Sequence, residues 1–236
     1  MSKENALFIQ KLIAFVGVIF CSGLLVLSVP RFMASLYVLY PDAVLNQTQQ
    51  LAPAEIYEKS IADINQALQW YPNPDYWKKL GFFYLKLFDT QPVDAEAQKI
   101  SLLNQAQIAI TKGLSFSPID PQAWLKLAQI GALLYAPKPQ IINDLSLSLY
   151  AGRVEPELVM TRLAFSYDFY NDFSEDMKKQ WQKQLLLAWG FSRQAFIEFV
   201  SQHPELKPMV LQVFIHSPDD AQQFLSQYDQ YVKTKH

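Results

Sequence analysis

The chain of 236 residues is short of glycine, cysteine and histidine, with seven, one and three of each against fourteen prolines. Its single thiol, Cys21, can neither close an internal disulfide nor build a cysteine-based zinc site, and it carries no information on redox compartment. The glycines stand apart at 17, 23, 81, 113, 131, 152 and 190, so a glycine-rich phosphate loop is excluded, and there is no G-x-S-x-G elbow or H-E-x-x-H pair. His203, His216 and His236 have no second His or Cys at metal spacing. His203 and His216 precede Pro or Ser-Pro and read as solvated turn residues. No metal, no cofactor and no catalytic residue is expected. A basic excess is missing too: 20 Lys and Arg face 22 Asp and Glu, giving a net charge of -2, which argues against non-specific nucleic-acid binding. The carboxylate pairs Asp219/Asp220, Asp172/Glu175 and Glu155/Glu157 read as helix-start charges rather than as the acid and base of a glycosidase.

What remains is apolar and helix-forming. Half of the residues are hydrophobic and 18% are charged, too apolar for disorder and enough for one or two domains with a core. Abundant Leu, Gln, Ala and Lys with prolines as punctuation predicts helices and almost no strand.

Leu12 to Val29 is an eighteen-residue run without a charge, followed by Pro30 and Arg31. With its flanks it is just long enough for a hydrocarbon core of about 30 Å at about 1.5 Å per residue. A cleaved signal peptide is the rival, but Pro30, Arg31 and Phe32 stand where a small-x-small cleavage site is needed, so an uncleaved anchor is expected. Lys3 and Lys11 precede the run with Glu4 opposing, which points to a cytoplasmic N-terminus and a domain on the outer side. Phe32 to Tyr40 reads equally as an aromatic belt at the membrane surface or as a helix continuing out of it. Asn46, Gln47 and Thr48 match a glycosylation sequon, treated as chance outside a eukaryote.

The rest is organised by a repeat. Trp77, Leu80, Gly81 and Tyr84 fit W-x2-L-G-x2-Y, and Ala106, Ile110, Gly113 and Pro118 continue it; Trp124, Leu127, Ala128 and Gly131 open a second copy. This resembles the tetratricopeptide repeat. The two tryptophans are 47 residues apart against a period of about 34, and the excess is assigned to a polar loop at Asp89–Gln98. Ser60, Ile64, Ala67 and Pro72 read as the second helix of a preceding partial repeat, and Asp144, Ser148, Ala151 and Pro156 as a weaker one after. Small residues admit close helix approach, Trp77, Tyr84 and Trp124 are expected in the core, and stacking is needed to bury each pair. The expected architecture is an all-α tetratricopeptide-like solenoid behind one transmembrane helix: tail and anchor at 1–31, a juxtamembrane segment at 32–52, repeats at 53–156, and diverged C-terminal hairpins and cap at 157–236.

In such arrays the first helices line a concave groove, which predicts Asp75, Lys78, Phe82, Leu85 and Lys86 beside Gln122, Leu125, Gln129 and Leu133 as a partner-binding face. Phe82 stands where the chaperone-binding carboxylate clamp wants Asn. Tyr150–Leu163 offers Arg153, Glu155 and Arg162 as a second patch or, on the favoured structural reading, a helix stop and start with ion pairs across it.

The N-terminal span, S-P-x-D-P-x-A-W-x-x-L-A at Ser117–Ala128 and G-R-x-E-P-E-L at Gly152–Leu158 together resemble small bacterial exopolysaccharide-biosynthesis proteins of the VpsP type. The resemblance implies a non-enzymatic inner-membrane accessory protein of polysaccharide synthesis or export, holding protein partners together. Two alternatives stand beside it: a glycan-binding protein, given 33 aromatics, and a structural subunit of a multi-span enzyme complex. Burial of Trp77, Trp124, Trp181 and Trp189 would count against glycan stacking.

Overall fold

The computed structural model describes residues 3–47 and 51–235; Thr48 of the sequon and His236 lie outside the described residues, as do the side chains of Lys3 and Glu4. Among the described residues every regular element is a helix: α1 (Lys3–Gln47), α2 (Ala54–Trp70), α3 (Pro74–Thr90), α4 (Glu96–Phe116), α5 (Pro121–Leu133), α6 (Lys138–Ala151), α7 (Pro156–Tyr167), α8 (Glu175–Phe191), α9 (Arg193–Gln202), α10 (Lys207–Val213) and α11 (Pro218–Lys235). They divide into two compact units, Met1–Ser117 and Pro118–His236. The second tryptophan-bearing pair, α5 and α6, therefore sits with the C-terminal helices, although its sequence groups it with the repeats of 53–156.

Helix α1 runs unbroken through Pro30 and Pro41, so of the two readings of Phe32 to Tyr40 the continuing helix is the one observed. Each proline removes one N–H from the ladder without ending the helix. Up to Val29 its described side chains are exposed on every face. Beyond that a helical stripe of Ala34, Val38, Pro41 and Val44 is buried, and this half packs on α2. The matching stripe on α2 is Tyr57, Ser60, Ile64 and Ala67, spaced by three and four as one face requires. The half-helix expected at Ser60–Pro72 thus has its partner, supplied by the end of α1.

The α3–α4 pair is the tightest in the first unit. Asn73 caps α3, its side-chain oxygen accepting from the Asp75 amide at 2.9 Å, with Pro74 at the first turn, the position where a missing N–H costs nothing. Gly81 and Gly113 let the two backbones meet: a Cβ on Gly81 would lie 2.9 Å from the Ala106 carbonyl oxygen, and one on Gly113 2.9 Å from that of Pro74. The surplus over the repeat period is not a long loop. Residues 91–95 make a short turn, and the extra length is taken up as helix, with 17 residues in α3 and 21 in α4. Glu96 to Gln98, expected in the loop, already begin α4.

In the second unit α5 pairs with α6 and α7 with α8. Asp120 caps α5 through the Ala123 amide, and Ser174 caps α8 through that of Met177. Trp181, Trp189, Phe196, Phe214 and Phe224 are buried, and Trp189 meets the last three at centroid distances of 5.7–6.1 Å, the tilted and edge-on contacts that ring quadrupoles favour.

Glycine 81 offers a direct test. Gly81→Ala should destabilise the full chain by about 1–3 kcal/mol, because the added Cβ would meet both the buried Ile110 side chain and the Ala106 carbonyl oxygen. Gly190→Ala, where nothing lies within 4 Å, should be neutral or stabilise by up to about 1 kcal/mol through helix propensity. Urea unfolding in detergent, followed by helical circular dichroism, separates the two; equal behaviour would refute the close-approach role.

Candidate partner-binding face

The predicted face draws on α3 in the first unit and α5 in the second. On α3, Asp75 is exposed and Phe82, Leu85 and Lys86 are half-buried at the surface. Lys78 is not a surface residue. Its stem lies against Gly113, its side chain is buried, and its ammonium sits 2.8 Å from the Asp75 carboxylate. The glycine that lets α4 approach makes the cleft that the lysine stem fills, with the charge snorkelling to its partner one turn back.

On α5, Gln122 and Leu133 are exposed and Gln129 is half-buried, accepting from Lys126 at 3.0 Å. Leu125 is only 1% exposed and belongs to the core. Lys78 and Leu125 therefore drop out of the face, since both point into the interface between paired helices. Trp77 and Tyr84 pack against the first core while half-buried, and Lys112 covers the Trp77 ring at 4.0 Å. Trp124, expected in the core, is half-buried and serves the turn, its indole donating to the Pro118 carbonyl at 2.8 Å.

The second patch resolves differently. Arg153 and Glu155 are exposed, whereas Arg162 is 2% exposed. Its guanidinium donates to the Ser148 hydroxyl at 3.0 Å, the Ser148 carbonyl at 2.9 Å and the Gly152 carbonyl at 2.8 Å. These oxygens close the C-terminal turn of α6, whose own last turn holds no basic residue, so a side chain from α7 does the capping. Burial lowers its pKa to about 10, opposed by Glu155, leaving it charged at neutral pH. The structural reading of this stretch is the one the geometry supports for Arg162.

Arg153 instead borders a furrow between α6 and α8. A wider part, about 650 Å³, is lined by Lys138, Ile142, Ser146, Asp172 and Met177. A narrower part of about 120 Å³ adds Tyr150, Arg153 and Gln180. Lys138 and Asp172 meet across one end at 2.7 Å. Tyr150 is almost fully exposed, and periodicity alone does not reveal it as a lining residue because its register is set by the packing of α6 on α5. His203, at the turn that ends α9, is half-buried, its ring tilted against Tyr167 at 4.2 Å and Phe199 at 5.0 Å. Tyr167 donates to the Glu205 carboxylate, which holds that acid below its ordinary range and pushes the phenol up to about 12. The acid pairs behave as helix-start charges: Glu157, Glu175, Asp219 and Asp220 lie in first turns, and Asp220 also accepts from the Trp189 indole at 2.8 Å. Among the described residues no group of three or more His, Cys, Asp or Glu is gathered as a metal would require.

Two stability measurements follow. Arg162→Met should cost about 3–5 kcal/mol by stranding buried acceptors, while Arg153→Met should stay within about 0.5 kcal/mol as an exposed change; comparable urea midpoints would refute the capping role. Asp144, half-buried on α6, has its pKa raised from 3.8 to about 6, chiefly by burial and despite a hydrogen bond from Asn143. Its contribution to stability is present below pH 3.8 and lost as pH rises through about 6. Asp144→Asn should therefore raise the melting temperature well above pH 6 and leave it unchanged below pH 3.8; a pH-independent difference would exclude the linkage.

No family model matches the chain, and no curated protein matches it. Among solved structures, the chain is similar to that of MamA protein, at 13% identity and a TM-score of 0.50, over 84% of this chain and 95% of that one. It also aligns with TTC0263, a thermophilic TPR protein of Thermus thermophilus, at 15% identity and a TM-score of 0.45, over 75% of this chain and 91% of that one. At such identities the likeness concerns fold alone. Together with the in-phase tryptophans and the stacked helix pairs, it supports an all-α, tetratricopeptide-like fold whose first helix is long and apolar.

Proposed function

We propose that this chain is a non-enzymatic, membrane-anchored adaptor that holds protein partners together on a helical-repeat scaffold. The observation that carries the reading is the double use of α1. From Leu12 to Val29 it exposes apolar side chains on all faces, and the helix is long and apolar enough to cross a membrane. Its second half is built into the first helix pair through Ala34 and Val38. A span that continues as a repeat helix couples the scaffold stiffly to the bilayer, where a flexible tether would let it wander. Within this reading the N-terminus is cytoplasmic and the solenoid lies outside a bacterial inner membrane, on the basis of Lys3 and Lys11 against Arg31.

The partner surfaces are Asp75, Phe82, Leu85 and Lys86 on α3, Gln122, Gln129 and Leu133 on α5, and Arg153 with Glu155 beside the α6–α8 furrow. The exopolysaccharide or cell-envelope polysaccharide setting rests on the motifs at Ser117–Ala128 and Gly152–Leu158. A structural role in a multi-span complex is favoured by one feature: Phe32, Leu36 and Leu39 form an exposed stripe on α1 beyond the span. The glycan-binding alternative loses ground, since Trp181 and Trp189 are core residues and Lys112 covers Trp77.

Cross-linked capture from native membranes, read by mass spectrometry, tests the proposal with Lys86→Glu and Leu133→Glu, each altering one accessible residue of a face. Recovery of polysaccharide synthesis or export components with wild type, lost with either variant, is the expected result. Recovery unaffected by both would move the contact to α1 or the furrow, and wild type that captures no protein would overturn the adaptor reading.

A further inference from the structure

If α1 crosses the bilayer, its own geometry fixes what else lies at the membrane surface. Leu12 to Val29 fills most of a core of about 30 Å, and the headgroup layer beyond it is roughly 5–8 Å deep, or about one helical turn or slightly more. Arg31 stands at that boundary and Phe32 to Leu36 lie within the layer.

Several contacts bring the rest of the first unit to the same level. The Arg31 guanidinium lies over the Tyr71 ring at 5.0 Å, which places the end of α2 there. The Asn73 amide donates to the Tyr71 carbonyl at 2.9 Å, so α3 begins at the same height. Tyr76, in the first turn of α3, joins Tyr37 and Tyr71 around Ala34, Val38 and Ala67. Because Gly113 abuts the Pro74 carbonyl, the last turn of α4 arrives there as well. At this end Trp70 is 43% exposed and Phe116 is 65% exposed, two large aromatics with no place in the core. Arg31 and Lys112 are the basic groups nearby, each already over an aromatic ring, and the carboxylate of Asp75 is paired with Lys78. Aromatic side chains flanked by cations, without a bare acid, are what the headgroup and carbonyl region of a bilayer accepts. The opposite end of the same helices is unlike it: the α3–α4 turn shows Val93 beside Asp94 and Glu96, all exposed.

We infer that the α2–α3 turn and the end of α4 form a lipid-facing rim, with Trp70 and Phe116 seated in the headgroup layer on the outer side of the span. The occupant is the bilayer itself, because the rim is continuous with the span and lies at the height at which α1 leaves the hydrocarbon. The first helix pairs then lie against the membrane in a set orientation, with the α3–α4 turn directed away from it. The inference rests on the membrane-spanning reading of α1.

The chain carries its own reporter for that reading in Cys21, its single cysteine, in the middle of the span. The full-length protein is labelled with an environment-sensitive fluorophore in phosphatidylcholine vesicles. The label sits at Cys21 in wild type, and at Gln69→Cys, Ser115→Cys or Val93→Cys in a Cys21→Ser background, leaving Trp70 and Phe116 intact. Nitroxide lipids quench either from the mid-acyl chain or from the headgroup. The expected result is strong mid-chain quenching at Cys21 and headgroup quenching at 69 and 115 several-fold greater than at 93. If Cys21 is quenched but 69 and 115 match 93, the rim is overturned and the span stands. If Cys21 escapes quenching, span and rim fall together. A Trp70→Ser, Phe116→Ser double variant, still helical by circular dichroism, should lose the excess quenching at 69 and 115; retention would overturn the role of these aromatics.

Discussion

The second unit depends on the buried guanidinium of Arg162. At the end of helix α6 the carbonyls of Ser148 and Gly152 accept from a guanidinium that comes from the next helix. Ser148 extends the connection, accepting from Arg162 and donating to the Pro121 carbonyl at 2.6 Å. One turn further along α7, Ser166 receives the Trp181 indole at 2.8 Å. A chain of donors and acceptors therefore runs from the start of α5 through α6 and α7 to α8. Its partners are largely neutral oxygens, so the charge is stabilised by hydrogen bonding rather than by a close ion pair. Such a network is costly when any member is lost, because each freed group stays buried.

The first unit answers to a different constraint, that of one helix serving two environments. From Leu12 to Val29, α1 carries no charge and its side chains are exposed on every face. From Ala34 onward the same helix becomes amphipathic, with Lys79 reaching across from α3 to Asp42 and Lys59 lying over the Tyr40 ring at 4.1 Å. The change from an exposed apolar stretch to a packed stripe is written in the residue pattern, while the backbone passes through it without interruption.

Much of this was legible beforehand. The two in-phase tryptophans, the small residues at 81, 113 and 131, and the prolines at 118 and 156 come from local chemistry, and the helices appear where that chemistry places them. Gly81 and Gly113 were readable as close-approach sites because a small side chain at that position in the motif has one geometric purpose. The face was less legible. Lys78 carries a charge and falls on the expected stripe, yet the cleft opened by Gly113 takes its stem; Leu125 falls in the same register and is drawn into the core of its pair.

What the sequence determined by itself was the secondary structure, the pairing of helices and the apolar character of the first span, since these follow from spacing, capping and composition along the chain. Tertiary structure alone decided that α1 runs on into the first repeat, that the surplus between the tryptophans became helix instead of loop, and that Arg162 caps a neighbouring helix instead of facing a partner. In each case the outcome turns on where a second helix lies. A proline is tolerated, a loop shortened or a charge buried only when another element supplies the contacts that make it favourable, and those contacts join residues that sequence spacing does not relate.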